Sequence, residues 1–183
     1  MRIDSMKYKS IHFKLAEIQD ADFILSLRLD EKYNKHLSIV QNDLQDQKNW
    51  LERYKERELA CLEYYFIVHR NSDSERLGTV RLYDFIDDEK SFSWGSWILN
   101  EKKTRYAALE CAILIYDYAF LKLKFKRCHM DMRKSNSKII EFHKKLGAKI
   151  VGETEKDWIA HYHVDDYLSV RNSIRELIEN TDY

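Results

Sequence analysis

The 183-residue chain contains no proline and only four glycines, Gly78, Gly95, Gly147 and Gly152. A phosphate-binding loop built on a run of glycines is excluded, so any such cradle must be made from other residues. The charges cancel, with 31 Lys plus Arg against 31 Asp plus Glu. A dedicated nucleic-acid binder should carry a basic excess or a basic stripe, and none is expected here. The basic stretch Lys122–Arg127 falls where a helix should end, and cations favour that place anyway. No apolar run approaches the roughly 20 residues a membrane helix needs, so no membrane partner is expected. Met1–Lys14 has no apolar signal core, which reads as a cytoplasmic protein. Three cysteines, Cys61, Cys111 and Cys128, form no CxxC pair. Each lies in an apolar run and reads as a buried reduced thiol.

What is present is an alternation of strand-like and helix-like segments. Ile11, Phe13 and Leu15 alternate as on a half-buried strand. Asp20 stands as N-cap before Phe23, Ile24 and Leu27, which have helical spacing. Asp30–Gln41 is polar and aromatic and reads as a loop or irregular turns. Asn42 or Asp43 caps a second helix running to about Glu58. Glu63–His69 is a continuous β-prone run and fits a central strand. Leu77–Phe85 and Ser91–Leu99 follow across short turns, as in an antiparallel meander. Then the period changes. Thr104–Leu123 has a wide apolar helical face. Arg127–Met132 is a short strand, and Ser135–Leu146 is a helix stopped by Gly147. Lys149–Glu153 and Asp157–Leu168 are two last strands, and Val170–Asn180 fits a terminal helix. One mixed α/β domain over residues 1–183, with its core at about 11–168, is expected.

Two motifs carry a resemblance. The first is GSWILNEKKTRYAALE, Gly95–Glu110. The second is NSKIIEFHKKLGA, Asn136–Ala148. With the element order, they make the chain resemble the GCN5-related N-acetyltransferases. Leu27–Asp30 followed by Lys32, Tyr33, Asn34, Lys35 and His36, together with the early strand and the Trp50 helix, is similar to the branch acting on nucleotide-linked amino sugars, a layout that the ribosomal-protein acetyltransferases share. In that family a strand runs into a loop of pattern Arg/Gln-x-x-Gly-x-Gly/Ala that opens a helix. Here the pattern falls on Lys103, Tyr106 and Ala108, with a tyrosine in the glycine place. The second motif is similar to Asn-x-x-Ser-x-x-x-Tyr-x-Lys-x-Gly-Phe. The resemblance implies a mostly antiparallel sheet of about seven strands with flanking helices, splayed between strands four and five. It also implies acetyl-CoA as co-substrate and no metal.

The physics of the first motif is anion binding at a helix N-terminus, where amides lack intrahelical partners and the dipole favours negative charge. Lys103, Thr104, Arg105, Tyr106, Ala107 and Ala108 would meet the coenzyme pyrophosphate. The resemblance puts Trp97, Ile98 and Leu99 beside the thioester, with a backbone N–H for the oxyanion. It puts Asn136 on the coenzyme, although Asn is also a good N-cap. His143 takes the place of the family tyrosine that protonates the leaving thiolate, and Ser93 that of a general-base glutamate. An imidazole is a sensible acid near neutral pH, whereas a serine can only hold a water.

For the acceptor, Arg28 and Lys35 could meet a diphosphate, and Tyr33, Tyr83 and Trp94 could stack on a sugar or base. The same aromatics also suit ordinary packing. His161, His163 and Asp165 would share one face of a regular final strand. That cluster reads as catalytic, as a solvated sheet face or, less readily, as a metal site. The expected acceptor is a small-molecule amine, such as a nucleotide-linked amino sugar, or a peptide N-terminus. A coenzyme-binding protein without turnover and a non-enzymatic interaction domain remain open, and the aromatic content is compatible with a homodimer.

Overall fold

The computed structural model describes residues 6–180. Its strands are β1 (Ile11–Leu15), β2 (Tyr64–Arg70), β3 (Arg76–Ile86), β4 (Ser91–Leu99), β5 (Arg127–Arg133), β6 (Lys149–Glu153) and β7 (Asp157–His163). Its helices are α1 (Ala21–Leu29), α2 (Glu31–Asn34), α3 (Leu44–Leu59), α4 (Ala107–Tyr116), α5 (Ser137–Leu146) and α6 (Val164–Glu179). The seven strands form one mixed sheet in the order β1-β2-β3-β4-β5-β7-β6. β4 and β5 pair in parallel through Ser91–Arg127 and Phe92–Cys128, while the pairs around β2 and β7 are antiparallel. Among the described residues, no helix is long and apolar enough to cross a membrane. The chain divides into two compact units, one of residues up to Tyr83 with Gly95–Cys111, the other of Asp84–Trp94 with Ala112 onward.

In the first unit, β2, expected as a central strand, is an interior strand next to the β1 edge, buried from Tyr64 to Val68 and paired on both sides. α1 and α3 pack on it through Ile24, Leu51, Tyr54 and Tyr65, with Phe23 and Trp50 at the margin. α3 starts where Asp43 accepts from the amides of Gln45 and Asp46, two of the donors a helix start leaves open. Tyr54 Oη lies inside this cluster, accepts from the Tyr65 amide at 2.8 Å and donates to Glu58. Gly78 is the tightest point. A Cβ built there would stand 1.8 Å from the Ile98 carbonyl oxygen, which is backbone and has nowhere to go.

The second unit has an aromatic core of Phe92, Tyr116, Phe120, Tyr162 and Tyr167, with ring centroids 5.0–6.5 Å apart. A π-helical turn, Asp117–Lys122, extends α4. Its Asp117 anchors α6, accepting from Tyr167 Oη at 2.6 Å and from Arg171 at 2.6 and 2.7 Å. α5 is bounded as the motif implied. The Asn136 side chain caps it, and Gly147, at φ 105°, closes it in the left-handed conformation that suits glycine.

Several boundaries differ from expectation. Asp20 does not cap α1 through its side chain. It closes a preceding 3-10 turn, Ile18–Asp20, by accepting from the Glu17 amide. Asp30–Gln41 contains the one-turn helix α2, capped by Asp30. The α4 helix begins at Ala107 rather than Thr104. The last strand stops at His163, and α6 takes Val164 to Glu179. Asp165 and Asp166 mimic the polar face of a strand, but in a first turn they complement the helix dipole. Asp165 therefore leaves the face assigned to His161 and His163. Cys61 is exposed beyond α3, at φ 58°, while Cys111 and Cys128 are buried.

The Gly78 contact predicts that Gly78→Ala lowers stability by about 2–3 kcal/mol, as overpacking does. Gly152→Ala should cost under about 1 kcal/mol, because its Cβ would meet Ile159 at an ordinary 3.9 Å. Urea midpoints compare the two, and equal losses would remove the argument from close approach.

Candidate active site

In the first unit, β4 is kinked at Ser96, which adopts φ 46° between Gly95 and Trp97. A left-handed non-glycine residue inside a strand is costly and needs support. Thr79 supplies it, its hydroxyl donating to the Ser96 carbonyl at 2.8 Å. Beyond this kink run Trp97, half-buried, Ile98, buried, and Leu99, half-buried. Asn100 then pins the turn. Its amide donates to Leu77 O at 2.7 Å, its Nδ2 to Arg76 O at 3.1 Å, and its Oδ1 accepts from the Lys102 amide at 3.0 Å. Arg70 reaches across to the Lys102 carbonyl at 2.8 Å.

The segment before α4 exposes Lys103 and Arg105 and half-buries Thr104 and Tyr106. The Arg105 guanidinium lies 5.3 Å from the Tyr106 ring centre, so the residue in the glycine place is covered by a cation. Ala107 is fully buried and Ala108 partly. Two exposed cations in front of a ten-residue helix start are a workable anion site.

The same unit holds a cavity of about 390 Å³, lined by Arg28 of α1, the 38–47 segment, Trp50, Tyr65, Arg81 and Ser96. Arg28 is steadied by donating to Ser38 O at 2.8 Å and Ser38 Oγ at 2.7 Å. Arg81 pairs with Glu63 and lies 5.2 Å from the Trp50 ring. Glu63 is buried and also meets Arg57 at 2.7 Å. Of the expected acceptor residues, Arg28 lines this cavity. Tyr33 belongs to α2 and Lys35 follows it, both away from the lining, and Tyr83 sits against Arg81 at 5.0 Å. Arg81, Trp50, Asp46 and Ser96 are among the lining residues that sequence reading assigned to no site. An arginine inside the apolar run Leu77–Phe85 was the available signal.

In the second unit, Trp94 Nε1 donates to Tyr116 Oη at 3.0 Å, and Tyr116 Oη lies 3.4 Å from His143 Nδ1. The phenol thus accepts from the indole and faces the imidazole, and it also hydrogen-bonds the Cys128 thiol. Trp94 also meets the His143 ring edge-to-face at 5.4 Å and is itself buried. Its ring is a wall of this cluster rather than an open stacking platform. His143 is buried at 6% exposure, and burial pushes its imidazole down to about 4, so it is neutral at pH 7. Burial pushes the Tyr116 phenol well up. Ser93 is buried next to Trp94. Asn136 is engaged as a cap, its Oδ1 accepting from the Ile139 amide at 3.3 Å. His161 and His163 stand 6.2 Å apart on β7, and desolvation lowers His161. Among the described residues, no group of three or more His, Cys, Asp or Glu could hold a metal ion.

A family model for the acetyltransferase (GNAT) domain matches residues 11–149. The chain belongs to the GNAT family. Apo FdhC, a nucleotide-linked sugar GNAT, superposes on it with a TM-score of 0.86 at 40% identity, covering 92% of this chain and 95% of that one. The probable N-acetyltransferase YjcK of Bacillus subtilis (strain 168) is 26% identical over 137 residues, 72% of this chain and 76% of the relative. Spermidine N-acetyltransferase from Vibrio cholerae, solved with CoA and spermine, shares the fold at a TM-score of 0.73 and 16% identity. That match covers 86% of this chain and 98% of that one. As a GNAT, the chain is an N-acetyltransferase, a family whose acyl donor is acetyl-CoA.

Burial of His143 has a pH consequence. The imidazole is near 6.5 unfolded and about 4 folded. The unfolded state therefore binds the extra proton between those values, and stability falls as pH drops from 6.5 to 4, by roughly 3 kcal/mol in all. His143→Gln should flatten the urea midpoint across that window. An unchanged slope would show that another group sets it.

Proposed function

We propose that this GNAT transfers the acetyl group of acetyl-CoA directly to a primary amine on a nucleotide-linked sugar. The observation that supports this acceptor class best is the 40% identity to a nucleotide-linked sugar GNAT over 92% of the chain. The cavity with Arg28 and Arg81 is consistent with it, because guanidinium forks suit diphosphates.

On this reading Lys103, Arg105 and the first-turn amides of α4 receive the coenzyme pyrophosphate, and Ala107 and Ala108 keep the approach open. Backbone N–H groups at Trp97–Leu99 face the developing oxyanion, and Asn136 contributes to the coenzyme through its remaining polar atoms. The amine attacks the thioester carbonyl, the C–N bond forms, the C–S bond breaks, and one proton passes from nitrogen to sulfur. His143 is neutral at rest, so it cannot begin as an imidazolium. Negative charge growing on the sulfur raises its proton affinity. The proton lost by the amine is thus held at His143, next to the Tyr116 hydroxyl, and delivered to the thiolate. Ser93 would hold a water rather than act as base. Orientation supplies much of the remaining rate.

Tyr106 in the glycine place and Ser93 in the glutamate place favour one second reading, a GNAT that binds coenzyme A without turnover. Calorimetry with acetyl-CoA, followed by a thiol-release screen, separates the two. The screen compares nucleotide-linked amino sugars, spermine and peptide N-termini. Release with the amino sugars alone supports the proposal. Release with another class replaces the acceptor, and binding without release selects the second reading. In the active case, His143→Ala should lower kcat about 100-fold, with acetyl-CoA affinity little changed. An equal loss in both would make His143 structural. Arg81→Ala and Arg28→Ala should raise the acceptor KM about tenfold or more, as loss of a charged hydrogen bond does, and leave the acetyl-CoA KM in place. An acceptor KM unmoved by both would take the cavity out of the reaction.

A further inference from the structure

Glu110 is a fully buried carboxylate in the first turn of α4. Its Oε2 accepts from the Ser10 amide at 2.8 Å and the Ile11 amide at 3.3 Å, and its Oε1 accepts from the Ser10 hydroxyl at 2.6 Å. The same Ser10 oxygen lies 2.6 Å from Thr104 Oγ1. These contacts join the segment just before β1 to the loop that opens α4.

The direction of the hydrogen bonds follows from a proton count. A serine hydroxyl has one proton to give. A carboxylate is the stronger acceptor, and the 2.6 Å contact to Glu110 takes that proton. Thr104 must then be the donor in its own bond to Ser10. The chain of donation runs from Thr104 to Ser10 to Glu110. With its proton turned inward, the Thr104 hydroxyl can offer only lone pairs to a ligand, and lone pairs do not bind a phosphate oxygen.

We infer that Thr104 is a positioning residue rather than a phosphate ligand, and that Ser10 and Glu110 are the parts of the chain that hold it. This rests on the reading of the 103–106 loop as the acetyl-CoA phosphate site. A negative charge in the first turn stabilises the helix but competes with a bound anion. Here the carboxylate is turned to the amides and hydroxyl of the β1 side, so the loop keeps the cations Lys103 and Arg105 on its exposed face. A loop with no glycine of its own gains its shape from this bridge.

The test uses Ser10→Ala, Ser10→Thr, Thr104→Val and Ser10→Ala/Thr104→Val in the full chain. Acetyl-CoA affinity is measured by calorimetry, and amide hydrogen exchange at residues 103–106 is measured without ligand. Ser10→Ala and Thr104→Val should each weaken acetyl-CoA by about fivefold, the worth of one ordinary hydrogen bond. The double variant should lose no more than either, because both remove the same link. Loop amides should exchange faster in all three, and Ser10→Thr, which keeps the hydroxyl, should restore wild-type exchange. Ser10→Ala should raise the acetyl-CoA KM more than it lowers kcat, a split that general destabilisation would not give. A large loss in Thr104→Val with Ser10→Ala unaffected would overturn the inference and make Thr104 a direct ligand. Should the wild-type chain fail to bind acetyl-CoA, the functional reading falls. The exchange data still decide the bridge, with unchanged loop exchange in Ser10→Ala overturning it.

Discussion

A phosphate-binding loop normally owes its shape to glycine, and this chain has none between Gly95 and Gly147. The loop before α4 is therefore shaped from outside. Asn100 ties its start to Leu77 and Arg76, Arg70 holds the Lys102 carbonyl, and Ser10 holds Thr104. Each of these anchors comes from another strand or the segment before it, so the loop's geometry depends on β1, β2 and β3 being in register. That dependence gives Gly78 its weight. Without a side chain there, the β3 backbone reaches the Ile98 carbonyl, and Asn100 lies two residues further on.

A different economy operates around His143. Its neighbours Trp94 and Tyr116 are large, buried and aromatic, and they leave one polar line, from the indole N–H through the phenol to the imidazole. Buried polar groups are stable only when their hydrogen bonds are made. This line gives the indole N–H an acceptor and sets the phenol against the imidazole Nδ1. The cost is a histidine that rests neutral, so it suits chemistry in which a proton arrives with the reaction. An acid already charged at rest would need a wetter site or a neighbouring carboxylate.

The fold was legible because its signals were strong and local. β2 is a continuous apolar run, α5 has a cap at Asn136 and a stop at Gly147, and both sit where residue chemistry required. Boundaries were lost where one residue type serves two roles. Asp165 and Asp166 suit a strand's polar face as well as a helix's first turn, and the helix won because α6 could dock through Tyr167 and Arg171 on Asp117. Cys61 read as core from its apolar neighbours, yet it follows a helix end in a left-handed residue, and such an end faces solvent. The loop cations and His143 were proposed from motif spacing. Arg81, Trp50, Tyr116 and the Ser10–Glu110 bridge were not, because each depends on partners 18 to 100 residues away.

Charge balance in the first-unit cavity carries the acceptor question one step further. Arg57 and Arg81 share the single buried carboxylate of Glu63, which leaves that trio one positive charge in excess. Arg28 is held by a neutral serine and brings its full charge. Asp43 and Asp46 also line the cavity, and Asp43 keeps its negative charge while accepting from two amides at the start of α3. Signs therefore balance across the lining, and net charge does not choose between a diphosphate and a polyamine. Geometry is what distinguishes them, because a guanidinium fork binds a phosphate through two parallel N–H···O bonds and offers an ammonium nothing. Specificity is a difference between affinities, and this lining favours a ligand that brings phosphate oxygens to the forks and an amine to the carboxylates.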